Sequence, residues 1–410
     1  MCMRHNRRMT PELRQLLANQ PFTHFLWARM LGITGNQMLL VVLAWQMYDL
    51  TGSAWDLGLV GLYQFLPALL MALPAGHAVD RWHRGRIFAV CTLVQALVAM
   101  VLGLATLTDG ESRALILGLS ALLGMTRSFQ MSAQQALTPM LVPASLLARA
   151  VALTSSTVQV GIIGGPALGG VMYALGPLWA NGACALLALC ASALALGVRY
   201  AHRPAASGAA SWHTLLAGLR FVWQRKLLLG VVSLDMWAVL LGGATALLPI
   251  YARDILQVGP EGLGMLRAAP AVGALLMSLW LVRWPLRQQV GRVLFVSVVV
   301  YGLAVVAFGL SQQFWWSMLA LAVTGAADNI SVVVRITLIQ TETPDEMRGR
   351  VAAVNSIFIG ASNQLGEFES GTVAALWGPE ASVISGGIGT MLVAALWWRL
   401  FPGLARRDRL

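Results

Sequence analysis

Ionisable residues stand inside long apolar stretches of this 410-residue sequence: Arg127, Asp235, Arg267, Asp328, Glu367 and Glu369. A charge in hydrocarbon is costly unless it is paired or wetted, so each is a functional candidate by default. Asp235 stands about eight residues into its stretch, roughly 12 Å from the edge at ~1.5 Å per residue, near a bilayer midplane. Low-dielectric surroundings disfavour the charged form of a lone carboxylate, which is the property a proton carrier needs. The plainer reading of Asp235 is a structural pair with a nearby arginine. Glu367 and Glu369 lie roughly 25 Å along their stretch, towards its far interface. With Arg267 at the corresponding end of another stretch they form a candidate extracellular gate, or else simply wetted interfacial charges. Arg29 and Arg335 fall near the ends of their stretches, where a long side chain snorkels to water.

Membrane helices must position these groups. Hydrophobic residues make up 58% of the chain and charged ones 11%, against ~25% charged in ordinary soluble domains. One soluble core cannot hide that much apolar surface, whereas lipid solvates it. A spanning helix needs ~20 mostly apolar residues. Twelve stretches qualify, at 24–48, 57–79, 87–108, 114–136, 148–173, 179–199, 227–250, 261–282, 291–310, 315–338, 350–376 and 380–400. They divide the chain into a six-helix bundle over 1–200, a linker over 201–226 and a second bundle over 227–410. Within the linker, the run from Trp212 to Lys226 has the pattern of an amphipathic helix lying along a membrane face.

Arginines set the orientation. Loops on the side of both termini carry Arg81, Arg84, Arg86, Arg149, Arg199, Arg220, Arg225, Lys226, Arg283, Arg287, Arg292, Arg348 and Arg350. The opposite loops offer only Arg113 and Arg253, beside Asp49, Asp56, Asp109, Glu111, Asp254, Glu261 and Glu380. The positive-inside rule then makes both termini cytoplasmic, with the basic segment before Arg14 a lead-in rather than a cleavable signal. The net charge of +11 is therefore a topology signal, and no nucleic-acid partner is expected. Trp179, Trp212, Trp315, Trp316, Trp397 and Trp398 fall near stretch ends, as an interfacial aromatic belt requires. Cys2, Cys91, Cys184 and Cys190 lack metal-ligand spacing, so neither a metal, a cofactor nor a disulfide is expected. No Walker loop, HExxH or nucleophile elbow is present, which argues against an enzyme and against a self-contained ATP-driven pump.

The halves resemble each other. At a shift of 201 positions Gly124 falls on Gly325, Pro143 on Pro344, Arg149 on Arg350, Ser155 on Ser356, Gly165 on Gly366 and Gly170 on Gly371. A shift of 203 puts Gly61 on Gly264 and Pro67 on Pro270. Such an ordered set indicates a duplicated six-helix unit, and parallel repeats of this kind place a transport site between the halves.

Between the second and third stretches stands Gly76-His-Ala-Val-Asp80-Arg81-Trp-His-Arg84-Gly-Arg86. This resembles the G-x-x-x-D-R-x-x-R-x-R signature loop of the major facilitator superfamily. An ion-pair network there closes the cytoplasmic side in one state and breaks in the other; a plain positive anchor is the simpler reading. The related loop of the second half lacks the aspartate, so a gate built on the motif is asymmetric. Gly165, Pro166, Gly169 and Gly170 resemble the end of the family's antiporter motif, although Ser156 stands where that motif has a further glycine. Ordinary small-residue packing explains these glycines as well. The runs 45–53, 266–274, 343–355 and 363–371 are similar to the branch that contains the bacterial enterobactin exporter.

The resemblance implies an all-α inner-membrane protein of twelve helices that moves a small organic molecule by alternating access, commonly against a proton gradient. It also implies that spans one, four, seven and ten line a central cavity. Arg127, Asn36 and Gln37 would then share that cavity with Asp235 and Asp328, the two candidates for proton coupling. Arg127 and Asp328 are repeat-equivalent and opposite in charge. Trp45 and Tyr63 are candidates for stacking on an aromatic cargo, against simple packing. One chain holds both halves of a pathway, so a monomer in contact with membrane lipid is expected. The alternatives to a siderophore or drug-like exporter are a lysophospholipid transporter and a sensor that no longer transports.

Overall fold

The computed structural model describes residues 11–200, 212–286 and 288–408. The basic lead-in before Pro11, the linker residues 201–211 and Arg287 lie outside them. Regular structure among the described residues is helical throughout. A short α1 (Pro11–Ala18) leads into α2 (Gln20–Thr51), α3 (Ala54–Arg81), α4 (Arg84–Leu107), α5 (Arg113–Leu141), α6 (Leu147–Ala174) and α7 (Pro177–Leu196). Then come α8 (Trp212–Gln224), α9 (Lys226–Leu241), α10 (Leu248–Ile250), α11 (Gly259–Arg283) and α12 (Val290–Gly309). The chain continues with α13 (Phe314–Glu342), α14 (Asp345–Trp377), α15 (Pro379–Leu400) and a final turn, α16 (Pro402–Ala405). Local chemistry sets the boundaries. Asn19 and Ser112 accept the Phe22 and Leu115 backbone N–H groups at 3.3 and 3.2 Å, capping α2 and α5. Gly176 and Gly378, with φ of 135° and 90°, make matching turns before the prolines that open α7 and α15.

Packing repeats between the halves. Helix α2 lies against α6 and α7 as α9 lies against α14 and α15; α3 packs on α5 as α11 does on α13; α4 packs on α7 as α12 does on α15. The broadest contacts between the halves are two matching ones, α6 with α11 and α3 with α14. The repeat-matched glycines stand at these contacts. A Cβ on Gly264 would lie 3.1 Å from the Gly170 Cα, and one on Gly371 would lie 2.6 Å from the Gly58 Cα. Without hydrophobic driving force inside lipid, such close backbone approach is how helices gain packing energy. All four glycines lie towards the arginine-poor end of their helices, so the halves close on each other there.

Among the described residues, eleven helices are long and apolar enough to cross a membrane, counting α9 with its continuation to Ile255 as one. The twelfth, α14, has ample length at 33 residues, but Arg348, Arg350, Asn355, Asn363, Gln364, Glu367 and Glu369 make it far more polar. The seventh span departs from the continuous helix expected over 227–250. It breaks after Leu241 at Gly242–Gly243, then proceeds through a 3₁₀ turn (Ala244–Leu247), α10 and a π turn (Tyr251–Ile255). The break lets the Gly366 carbonyl approach to 2.7 Å of a Cβ position on Gly243, and the Tyr301 hydroxyl donates to the Gly242 carbonyl at 3.2 Å. The amphipathic run is helical as expected. Helix α8 packs on the start of α14, burying Val222 and leaving Leu216 and Trp223 exposed. Trp179, Trp315 and Trp316 are exposed at helix ends as a belt requires. Trp397 is a correction: it turns inward, donating to the Ser233 hydroxyl at 2.9 Å and tying α15 to α9.

Candidate functional site

In the second half, Asp235 on α9 and Arg335 on α13 form an ion pair, both buried at 5% and 3% exposure. The Ser331 hydroxyl, one turn from Arg335, donates to the same carboxylate at 3.4 Å. Of the two readings of Asp235, the geometry matches the structural pair with an arginine, and one expectation is corrected: Arg335 does not snorkel from a helix end. Helix α13 runs on to Glu342, beyond the expected limit of 338, which leaves Arg335 well inside it and facing α9. An unpaired buried charge would cost several kcal/mol, so the guanidinium goes to the carboxylate rather than to the interface. Asp328 lies one turn before Ser331 on the same face. Asp235, Asp328 and Arg335 border a cavity of about 210 Å³, which Tyr301, Thr324 and Asn363 also line.

The first half is built differently. Asn36 and Gln130 both accept from the Gln95 side-chain amide, at 3.4 and 2.7 Å, so this centre is an uncharged network. Gln37 backs onto α6, where its Cβ would sit 2.6 Å from a Cβ on Gly165. Arg127, at the middle of α5, is exposed although it is far from either helix end. Glu367 of α14 is the carboxylate within electrostatic range of both Arg127 and Arg267 of α11. Glu367 reaches α3, its Oε2 lying 2.9 Å from a Cβ position on Gly61. Arg127 is not among the residues that line the small cavity bordered by Asp235 and Asp328. The aspartates belong to the second half, and Arg127 belongs to a junction with Glu367 and Arg267. Glu369 is half-buried, accepting from Ser370 at 3.4 Å. Trp45 packs on Tyr173 with ring centroids 6.1 Å apart, at the edge of the core, which is the plain packing role. Tyr63 is 41% exposed.

One constellation escaped the sequence reading. At the arginine-poor end Arg253 reaches Asp49 at 3.0 Å and stands over the Tyr48 ring at 5.6 Å, while the Tyr48 hydroxyl donates to Asp254. These contacts join the end of α2 to the chain after α10, across the halves. Arg113 at the same end pairs with Asp56 at 2.7 Å. The signal was present: Arg113 and Arg253 are the two exceptions to the charge bias, and both are held by acids on that side.

In the signature loop, Arg84 contacts its own half. Arg84 pairs with Asp80 at 3.9 Å and donates to the Val79 and Ala136 carbonyls at 3.3 Å each, while its backbone N–H donates to the Tyr200 hydroxyl at 2.9 Å. It thereby links α3, α4, α5 and the residues after α7. Arg81 and Arg86 are exposed at the end of α3 and the start of α4, and Gly76 is half-buried one turn before Asp80. In the antiporter-like motif, Gly165 and Gly169 approach α2, whereas Gly170 and the Pro166 carbonyl meet α11. The motif therefore forms the packing surface that brings α6 against α2 and across to the other half.

A family profile described as transmembrane secretion effector matches residues 15–404. The enterobactin exporter EntS of Shigella dysenteriae serotype 1 is 26% identical over 383 residues, 93% of this chain and 92% of that one. Its counterpart in Citrobacter koseri is 27% identical over 393 residues, 95% and 94% of the two chains. Among solved structures, a bacterial homologue of the human lysosomal transporter Spinster, inward-facing and occupied, superposes with a TM-score of 0.75 at 13% identity, covering 97% of this chain and 99% of that one. The nucleoside transporter NupG gives 0.73 at 14% identity, covering 93% and 99%. These structures share the fold.

Proposed function

Because this chain belongs to the transmembrane secretion effector family of major facilitator transporters, we propose that it exports a small organic molecule, siderophore or drug-like, by alternating access driven by protons. The observation that carries export is similarity to enterobactin exporters over nearly the whole of both chains. The halves meet at the arginine-poor end, through glycine contacts and the Arg253–Asp49 bridge. With the arginine-rich end cytoplasmic, as the positive-inside rule requires, this is a cytoplasm-facing state ready to load cargo.

Coupling is carried by carboxylates that exchange partners. Protonation of Asp235 releases Arg335, and Asp328 beside it offers the guanidinium a second acceptor across the small cavity. In the junction, Glu367 competes with an anionic cargo for Arg127 and Arg267. The chain works as a monomer in the bacterial inner membrane with both termini cytoplasmic.

The test is an untargeted comparison of medium and cell contents between a deletion strain and its complemented parent, with and without iron. A metabolite that collects inside the deletion strain and is lost from its medium is the expected result. A shift confined to a lipid pool would transfer the reading to lipid transport. Proton drive is checked in vesicles by imposing a pH gradient; cargo movement indifferent to the gradient would remove the coupling role of Asp235 and Asp328.

A further inference from the structure

At the arginine-rich end of the second half, the start of α12 and the chain after α15 enclose a pocket of about 580 Å³. Arg292, Arg399, Arg406 and Arg407 border it, with Trp398 and Gln289. Arg407 is engaged, donating to Glu342 at 2.6 Å. Arg292, Arg399 and Arg406 remain exposed guanidiniums around one shared space. The acid on the wall is Asp408, and its Oδ1 already accepts the Gln289 backbone N–H at 3.1 Å.

The pocket is built rather than incidental. The Gly291 N–H donates to the Arg407 carbonyl at 2.9 Å and the Val290 N–H to the Asp408 carbonyl at 3.4 Å. A Cβ on Gly291 would collide with the carbonyls of Leu404 and Ala405, both of which are buried. The C-terminal segment is therefore seated on α12, and it holds Arg406 opposite Arg292. Trp398 sets its ring edge-on to Phe295, centroids 5.1 Å apart, which fixes the rim. One to two turns further along the same helices, Val296 on α12 and Leu392 and Leu396 on α15 present an exposed apolar wall.

We propose that this pocket is a headgroup site for an anionic phospholipid, its phosphate held by Arg292, Arg399 and Arg406 and its acyl chains lying along α12 and α15. Charge complementarity selects phosphate, since guanidinium forks match phosphate oxygens. Continuity with the apolar wall selects a lipid over a free anion, because only a lipid uses both surfaces. Basic recesses between helices at this depth suit such headgroups. The site lies outside the transport pathway proposed above and does not depend on it.

The experiment is native mass spectrometry of the full-length protein purified in detergent, titrated with cardiolipin, phosphatidylglycerol and phosphatidylethanolamine. The first two should bind and the third should not. Replacing Arg292→Gln, Arg399→Gln and Arg406→Gln together should weaken binding about fivefold per charge, on the order of 100-fold in all. A control triple of Arg220→Gln, Arg225→Gln and Lys226→Gln removes the same charge elsewhere at this end and should change binding less than about twofold. Should the site triple not yield folded protein, the single Arg399→Gln and Arg406→Gln variants read the same loss one step at a time. Unchanged lipid binding in the site variants, or an equal loss in the control, would overturn the proposal. Inorganic phosphate displacing the lipid at equal concentration would overturn the lipid part and leave a free-anion site.

Discussion

The two halves share a backbone and divide their chemistry. On α5 and α13 the same register positions, 201 apart, carry Arg127, Gln130 and Gln134 in one half and Asp328, Ser331 and Arg335 in the other. Around them the glycine contacts are preserved: Gly124 meets the Gln64 backbone as Gly325 meets that of Pro270. In the first half the middle position holds a neutral amide network with Gln95 and Asn36. In the second, a buried aspartate takes the arginine and the serine. Close helix packing tolerates few substitutions, whereas a polar position needs only a satisfied partner of some kind. Duplication thus leaves one half with an uncharged amide network and the other with a buried ion pair.

Perturbing each half in turn tests that division. The largest effect is expected from Asp235→Asn, which takes the carboxylate partner from the buried Arg335 and should cost up to ~3–5 kcal/mol in unfolding measured by heating in detergent, less whatever pairing with Asp328 restores. The double change Asp235→Asn with Arg335→Gln should recover most of it; a double variant as unstable as the single one would show that the pair is not the unit. In the neutral half, Gln130→Leu leaves the Gln95 amide without its 2.7 Å acceptor, for a loss of ~1–3 kcal/mol in the same assay. A loss matching that of Asp235→Asn would erase the contrast between the halves. Gly264→Leu and Gly371→Leu, at the two matched junctions, should each slow transport by on the order of tenfold, or ~1.4 kcal/mol, by blocking closure. Transport assays in which only one of them matters would mean that the junctions are not equivalent. The smallest effect belongs to Arg113→Ala, whose pair with Asp56 has a half-exposed guanidinium and should contribute ~0–1 kcal/mol.

Much of the backbone logic was legible before any coordinates. Gly170, Gly264 and Gly371 stood at repeat-matched positions because a missing side chain is conspicuous in a sequence and its packing demand is local. Facing is not local. The sequence points Arg335 to an interface because distance along a helix is readable and rotation towards α9 is not. It groups Arg127 with the aspartates for the same reason, and only the placement of α14 brings Glu367 into its range. The break at Gly242–Gly243 was hidden because the stretch around it is apolar throughout, and hydropathy counts carbons rather than hydrogen bonds. Arg253 and Arg113 were visible as exceptions to a rule, and the acids that explain them were visible beside them.

The broken seventh span has a mechanical consequence. A continuous helix is a stiff rod that carries a displacement from one face of the bilayer to the other. Here the rod is two shorter pieces meeting at a pair of glycines, with Asp235 on one piece and Arg253 and Asp254 on the other. Strain applied at the arginine-poor piece can dissipate at the joint, so the bridge to α2 can part without prising Asp235 from Arg335. The neighbours that touch the joint are Tyr301, whose hydroxyl donates to the Gly242 carbonyl, α14, whose backbone fills the notch, and α15, whose Gly386 lies against the Leu241 carbonyl.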